Sequence, residues 1–481
     1  MIVKTSVLLD DNIRDKLLAN SIEKIGSQER LARYLSNKLN RKIIRETVKG
    51  WKKGKHIYGW NLFIPTDVLK ELCNITGSSY RKTMKTVIRY NPIWKDPEKK
   101  KYLIKERKMK TIERGTDIFL DIASILPQTT LEAKRSRKFL PLFAEIHDDS
   151  ILLWSENTWN ASKILINRYI KIDKLFFRAC SIYFSEGVTK MNAIENGKIS
   201  LGNTEPDIIN TFIRFINKIL INYKARYKID MNCKNSPYNS EKIKEFWIKN
   251  IEYEIDSKKL NISERKNFGS GLMKNNGSFH FIINSTVSKP LLMNIIKASE
   301  NLSLKRKNWS REFLQGLFIC EGSVNNKNNI LKDMRIGTTK NRERAFIKKL
   351  LVNLKINFTE CKYDISIHGW ENFCRIYTYE IFPFKQVNSI SKEDKFITGF
   401  KNLRETRKLC KLIKFQQRKF TMKDWKKDHE MKYYNSPQST LNWLVSRGFL
   451  EKIKNNNKVF YKVRDGTTIR KLKNDHRFLE T

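Results

Sequence analysis

Ala179-Cys-Ser-Ile-Tyr-Phe-Ser-Glu-Gly187 and Leu314-Gln-Gly-Leu-Phe-Ile-Cys-Glu-Gly322 fall on one another when the chain is slid against itself by 135 positions. Without a gap, the same shift lays Ile199-Ser-Leu-Gly-Asn-Thr204 on Met334-Arg-Ile-Gly-Thr-Thr339. It then lays Phe212, Phe215, Ile216, Ile219 and Ile221 on Ile347, Leu350, Leu351, Leu354 and Ile356. Three consecutive elements in one register mark an internal duplication within residues 165–400. Each copy reads as helix, strand, strand, helix. The first helix ends at Glu-Gly, and a hairpin with a polar tip follows (Asn196-Gly197; Asn325 to Asn329). Gly-Asn-Thr or Gly-Thr-Thr then suits the N-cap of an amphipathic helix. Ser278-Phe-His-Phe-Ile-Ile-Asn284 and Lys362-Tyr-Asp-Ile-Ser-Ile-His368 read as further strands outside the common register.

The repeated helix carries the chemistry. Ser181 and Ser185 are four apart, as are Gly316 and Cys320. Small side chains at that spacing share a helix face and let two helices approach closely. Ile182, Phe184, Leu317 and Ile319 suit burial against the rest of each copy. Packed around a pseudo-twofold axis, the helices would bring Glu186 and Glu321 to the same end of the pair. Two carboxylates at helix C-termini repel each other and the helix dipoles. A divalent cation relieves this, and hard oxygen ligands suit Mg²⁺. The bland alternative, a surface Glu paired with a nearby Lys, would fit either residue taken alone.

The two nonapeptides resemble the paired motif of the LAGLIDADG homing endonucleases. The second copy is the closer match, keeping Leu314, Gly316, Leu317, Glu321 and Gly322; the first has Ser181 for the usual Gly and Ile182 for Leu. Both copies have Glu where the family's name spells Asp. The resemblance implies an α+β fold of two pseudo-symmetric αββαββα repeats, residues 165–300 and 301–405, forming a DNA-binding saddle. It further implies a monomer that hydrolyses both strands of double-stranded DNA across the minor groove, with Mg²⁺ held by Glu186 and Glu321. Such enzymes place basic residues near the scissile phosphates, for which Lys190 and Lys289 are candidates by position. Lys198 and Arg335 would face the DNA from the strands. The same scaffold serves non-cleaving regulators and RNA-splicing maturases, so intron RNA is an alternative partner.

Composition agrees with a nucleic-acid partner. Lys and Arg number 95 against 50 Asp and Glu, a net charge of +45 spread along the 481 residues. Self-repulsion on that scale is offset by a polyanion, and nucleic acid is the natural one. Coding bias toward Lys, Asn and Ile accounts for many lysines but not for the shortage of acids. At ~100–200 residues per domain the length implies three or four domains.

Flanking segments supply two more modules. Residues 1–110 read as a helical domain with a helix-turn-helix, Ser27 to Leu35 followed by Arg41 to Trp51, whose outer face would present Arg45, Lys49 and Lys52 to DNA. Residues 111–164 read as a linker and basic surface segment. Residues 406–481 read as a winged helix: Ser436 caps a helix with Pro437 at its first position, Gly448 ends it, and a hairpin turns at Asn455-Asn-Asn457. Its DNA contacts would be Gln438, Ser439, Asn442, Arg447 and Lys458. A helical hairpin or a protein-binding module of the same fold would give similar patterns.

The seven cysteines show neither a C-x-x-C pair nor an even count, which leaves zinc and disulfide frameworks without support. No run approaches the ~18 apolar residues of a membrane span, and the N-terminal apolar run is too short for a signal peptide. The expectation is a cytoplasmic, nucleoid-associated protein. The ends lack the residues an intein needs, so a free-standing, intron-encoded endonuclease is expected.

Overall fold

A computed structural model describes residues 6–53, 63–90, 102–130, 141–155, 163–187, 198–231, 239–255, 260–264, 276–416, 418–427, 436–455, 458–464 and 466–478. The chain forms two compact units, Met1–Ile104 and Lys105–Thr481.

The first unit runs β1 (Ser6–Leu9), α1 (Asp11–Ile25), α2 (Gln28–Lys38), α3 (Arg45–Lys53), β2 (Ile64–Pro65), α4 (Thr66–Thr76), α5 (Tyr80–Lys85) and β3 (Val87–Tyr90). Local chemistry sets the helix ends. The Asp10 carboxylate accepts from the Asn12 and Ile13 amides, and the Ser27 hydroxyl accepts from the Arg30 amide. Between these helices Gly26 takes φ 99°, where a side chain would be strained. Leu31, Leu35, Val48 and Trp51 are buried together with residues of α1 and α4. The unit is not purely helical: β1 pairs antiparallel with β2 and β3. These strands are too short to show a periodicity in sequence.

In the second unit, the segment expected to be a linker, 111–164, contains sheet. β4 (Thr111–Arg114) pairs with β5 (Asp117–Asp121), which pairs with β9 (Tyr169–Lys171), and β6 (Leu142–Ile146) pairs with β7 (Ser150–Ser155), which pairs with β8 (Ile164–Asn167). Leu120, Phe143, Ile151, Leu153, Ile164 and Ile166 are buried. These strands are short, and their apolar runs do not alternate cleanly at period two, so they gave no strand signal in sequence.

The duplicated region follows. Its first copy contains α6 (Lys174–Glu186), β10 (Lys198–Asn203), α7 (Pro206–Ile219), β11 (Ala225–Met231), α8 (Ser240–Asn250), β12 (Asn261–Glu264), β13 (Ser278–Asn284) and α9 (Ser288–Ser303). The second contains α10 (Lys307–Glu321), β14 (Gly322–Lys327), β15 (Ile330–Gly337), α11 (Asn341–Asn353), β16 (Thr359–Glu360), β17 (Asp364–Ile367) and α12 (Trp370–Thr378). The sheets order as β10-β13-β11-β12 and β14-β15-β17-β16. β10, β13 and β11 therefore occupy the places of β15, β17 and β16. The first copy carries an insertion, α8 with β12, between β11 and β13. β12 lies parallel to β11, and the insertion is why the common register ends after α7.

The expected helix caps move by one position. Glu205 and Lys340 precede α7 and α11, while the Asn203 side chain accepts from the Glu205 amide at 2.9 Å. Asn328 and Asn329, both at positive φ (52° and 57°), turn the β14–β15 hairpin, a conformation Asn tolerates. The first copy's expected hairpin tip at Asn196-Gly197 lies outside the described residues.

Beyond the repeats come α13 (Lys392–Lys401), α14 (Arg404–Leu412), α15 (Met422–Lys427), α16 (Pro437–Ser446), the hairpin of β18 (Leu450–Asn455) and β19 (Lys458–Val463), and α17 (Thr467–Asn474). Ser436 accepts from the Ser439 amide at the start of α16, and Gly448 takes φ 74° after it. Phe415, Phe420, Trp425 and Tyr461 stack into a small core under the hairpin. Among the described residues no helix is long and apolar enough to cross a membrane.

Candidate active site at the paired motif helices

α6 and α10 pack against each other more extensively than any other pair of elements among the described residues. Gly316 makes the approach possible. A methyl built on it would stand 2.1 Å from Ser181 Oγ and 2.5 Å from the Arg178 carbonyl oxygen. Ser181 is fully buried, and its hydroxyl donates back to that carbonyl at 2.9 Å, so it presents no unmet polar group to the seam. Ser185, half-buried, likewise donates to the Ser181 carbonyl. Flanking contacts set the register of the two helices. Arg178 Nε donates to Gln315 Oε1 at 2.8 Å and its guanidinium pairs with Glu312, while Phe184 packs edge-on against Phe313.

Both helices stop at glycine for the same reason. A methyl on Gly187 would meet the Tyr183 carbonyl oxygen at 2.4 Å, and one on Gly322 the Phe318 carbonyl oxygen at 2.3 Å. The chain turns sharply over the last helical turn, leaving Glu186 and Glu321 as terminal helical residues open to solvent.

The electrostatics show that these carboxylates share one environment. The protein packed around Glu321 strips part of its hydration, Glu186 and Glu343 repel it, and its pKa is pushed up to about 7 against the pull of Lys392 and Lys340. Glu186 is raised as well, by lost hydration, with Lys392 opposing. Lys392, half-buried at the first position of α13, donates its ammonium to the Phe318 and Ile319 carbonyls in the last turn of α10. Burial lowers its pKa, while Cys320, Glu186, Glu321 and Glu205 act in the other direction. The Cys320 thiol is held far above its usual range by burial and by Glu186, so it stays neutral beside the pair.

Among the described residues no group of three or more His, Cys, Asp and Glu side chains converges as a metal cage. A cation between Glu186 and Glu321 would have two protein carboxylates and would complete its shell with phosphate oxygens and water, the usual situation for Mg²⁺. The mutual repulsion of the two carboxylates fits that role.

Two lysines are expected at the site from sequence position. Lys190 lies outside the described residues. Lys289, at the start of α9, is 1% exposed. A lysine that does act on both acids is Lys392, which periodicity could not reveal because it belongs to neither repeat's register.

On the sheets, Lys198 is exposed at the start of β10, and Ile199 and Leu201 alternate with it into the core. Arg335 Nε donates to Asp333 at 2.8 Å and its guanidinium faces Asp364 at 3.6 Å. In the first unit Arg45 and Lys49 are exposed on α3, which extends through Lys52. On α16, Ser439 and Asn442 are exposed, whereas Gln438 donates to Asn442 Oδ1 and to the Tyr461 hydroxyl. Arg447 forms an ion pair with Glu371, and Lys458 is exposed on the hairpin.

Residues 308–373 match the model of a LAGLIDADG-like domain. The matched segment is similar to that domain. It takes in most of α10, Glu321, the β14–β17 sheet and the start of α12. Three similar solved structures are of I-DmoI. One, in complex with DNA and Mn, is 12% identical and covers 44% of this chain and 98% of that chain, with a TM-score of 0.25. A structure of mesophilic variants of the homing endonuclease I-DmoI is 12% identical, covers 42% and 93%, and scores 0.25. I-DmoI in complex with DNA and Ca is 11% identical, covers 44% and 93%, and scores 0.24. No curated protein sequence matches the chain significantly.

Proposed function

We propose that the protein is a monomeric, Mg²⁺-dependent endonuclease that cuts both strands of double-stranded DNA at a specific site. The observation that carries this reading is the convergence of Glu186, Glu321 and Lys392 at one end of a tightly packed helix pair, whose second helix belongs to the segment that matches a LAGLIDADG-like domain.

In this reading the two four-stranded sheets form a saddle on DNA. Lys198 and Arg335 lie on strand positions that alternate with buried ones, and the strand register puts Arg226 and Lys228 on the same sheet face as Lys198, so these residues would face the duplex. Glu186 and Glu321 would hold the cation. When bound, it would polarise a phosphate oxygen and lower the pKa of water. Glu321 must lose its proton to serve as a ligand, and its pKa near 7 puts that step in the neutral range. Lys392 sits where it can neutralise charge building on a phosphate or pass a proton to a leaving oxygen. Its lowered pKa brings it closer to the range of proton transfer. The helix-turn-helix helix α3 and the winged helix α16–β18–β19 would add contacts through Arg45, Lys49, Lys52, Ser439, Asn442 and Lys458. Gln438 is bonded to Asn442 and Tyr461, and the exposed Arg447 is paired with Glu371, so the second module's contact would rest mainly on Ser439, Asn442 and Lys458.

The test is digestion of DNA from the protein's own genomic locus in Mg²⁺ and in EDTA, with Glu186→Gln and Glu321→Gln as controls. Double-strand cuts that need metal and both acids support the proposal. Binding without cutting would instead point to a regulator, and preference for structured intron RNA to a maturase.

A further inference from the structure

Glu205 is a carboxylate at only 3% exposure, set between β10 and α7. Its counterpart under the repeat shift is Lys340, so the second copy has nothing equivalent. A buried carboxylate is costly unless its lone pairs are met. Here they are met by a segment far along the chain. Glu205 Oε2 accepts from the Val387 amide at 2.7 Å and the Asn388 amide at 3.1 Å, and Oε1 accepts from the Ser389 hydroxyl at 2.7 Å. The bonds continue in one direction. Ser389 Oγ accepts from Gln386 Nε2 at 2.9 Å, and Gln386 Oε1 accepts from the Lys392 amide at 2.7 Å. Two more ties bind the segment to the first copy: the Lys385 amide donates to Asp207 at 3.0 Å, and the Asn388 side chain donates to the Thr204 carbonyl.

The consequence lies at the other end of this chain of bonds. Lys392 begins α13, and its ammonium reaches the Phe318 and Ile319 carbonyls beside Glu321. A charged acceptor strengthens the bonds that lead to it, and successive bonds polarise one another. The anion in the first copy thus fixes where the lysine stands against the helix of the second. We infer that Glu205 is a positioning residue, which through Ser389 and Gln386 holds Lys392 at the Glu186–Glu321 pair.

The effect on catalysis rests on the endonuclease reading; the positioning itself does not, and the experiment separates them. Glu205→Gln keeps the shape but removes the charge and one acceptor: with its oxygen on the Val387 and Asn388 amides, its NH2 faces the Ser389 hydroxyl, which loses its acceptor. Ser389→Ala removes one link and leaves Glu205 in place. In the full-length protein, acetylation of the Lys392 amine is followed by mass spectrometry against exposed Lys198. Lys392 should be labelled ~10-fold faster in Glu205→Gln and faster, though less so, in Ser389→Ala, because its ammonium is no longer held to carbonyls. On cleavable DNA, kcat should fall ~10–100-fold, as for other small displacements of reacting groups, while KM stays within about 2-fold. Unchanged Lys392 labelling in folded Ser389→Ala overturns the proposal, as does a loss confined to KM. A wild-type protein that never cuts removes the endonuclease reading while the labelling still decides the positioning. If Glu205→Gln does not fold, Ser389→Ala decides.

Discussion

A methyl group added at Gly316 should force the motif helices apart. In Gly316→Ala the new Cβ would lie 2.1 Å from Ser181 Oγ and 2.5 Å from the Arg178 carbonyl oxygen. Ordinary contact begins about 1 Å farther out, and neither neighbour has room to yield. Ser181 is fully buried and bonded to its own helix, and the carbonyl is backbone. Overpacking of this kind costs roughly 1–3 kcal/mol. In a domain of moderate size each kcal/mol lowers Tm by about 2–4 °C, so a loss of several degrees is expected. The larger effect should fall on the carboxylates, because both ride on the helices being separated. Spreading them weakens their repulsion, which lowers the Glu321 pKa from about 7 and loosens a shared cation. The assay is thermal unfolding together with Mn²⁺ titration of the DNA complex. Adding Ser181→Gly should recover part of the loss by removing the nearer contact, but not all, since the carbonyl remains. A Gly316→Ala protein with unchanged Tm and unchanged cation affinity would refute the reasoning, because the seam would then not depend on its smallest residue.

Other expectations follow from the same charges. Glu186→Gln should lower the Glu321 pKa, measurable by carbon-detected NMR of the labelled carboxyl, since a repelling neighbour is gone. Cation affinity should rise as pH passes upward through about 7, with release of one proton, and calorimetry in buffers of different ionisation enthalpy would count it. Without metal the sign for stability is opposite. Glu321 ionises less readily folded than unfolded, so its contribution is complete below the ordinary carboxylate range and is lost as pH rises through about 7. In EDTA, Tm should therefore fall over that window, and Glu321→Gln should abolish this part of the fall. Replacing Arg45 and Lys49 by Ala should flatten the slope of log affinity against log salt by up to about two units if both meet phosphates; an unchanged slope in fluorescence anisotropy would place α3 off the DNA.

The legible part of this protein was the part repeated in register. Gly316, Ser181 and the two Glu-Gly ends could be read because helical spacing is a local property of the chain. The strands Ser278–Asn284 and Lys362–His368 were visible as apolar alternation, and the structure places β13 and β17 there. Sheet within 111–164 was missed because its strands are short and flanked by basic residues. The insertion α8–β12 was missed because it breaks the self-similarity that exposed the rest.

By itself, the sequence determined that two like helices end in a carboxylate followed by glycine, since residue order and helical period suffice for that. Only the tertiary structure decided which base joins them. Lys392 reaches the pair through a buried carboxylate in the other copy and a run of hydrogen bonds across distant segments. Contacts of that kind leave no periodic trace, because they are set by how the two copies close on each other and not by the spacing of residues along either one.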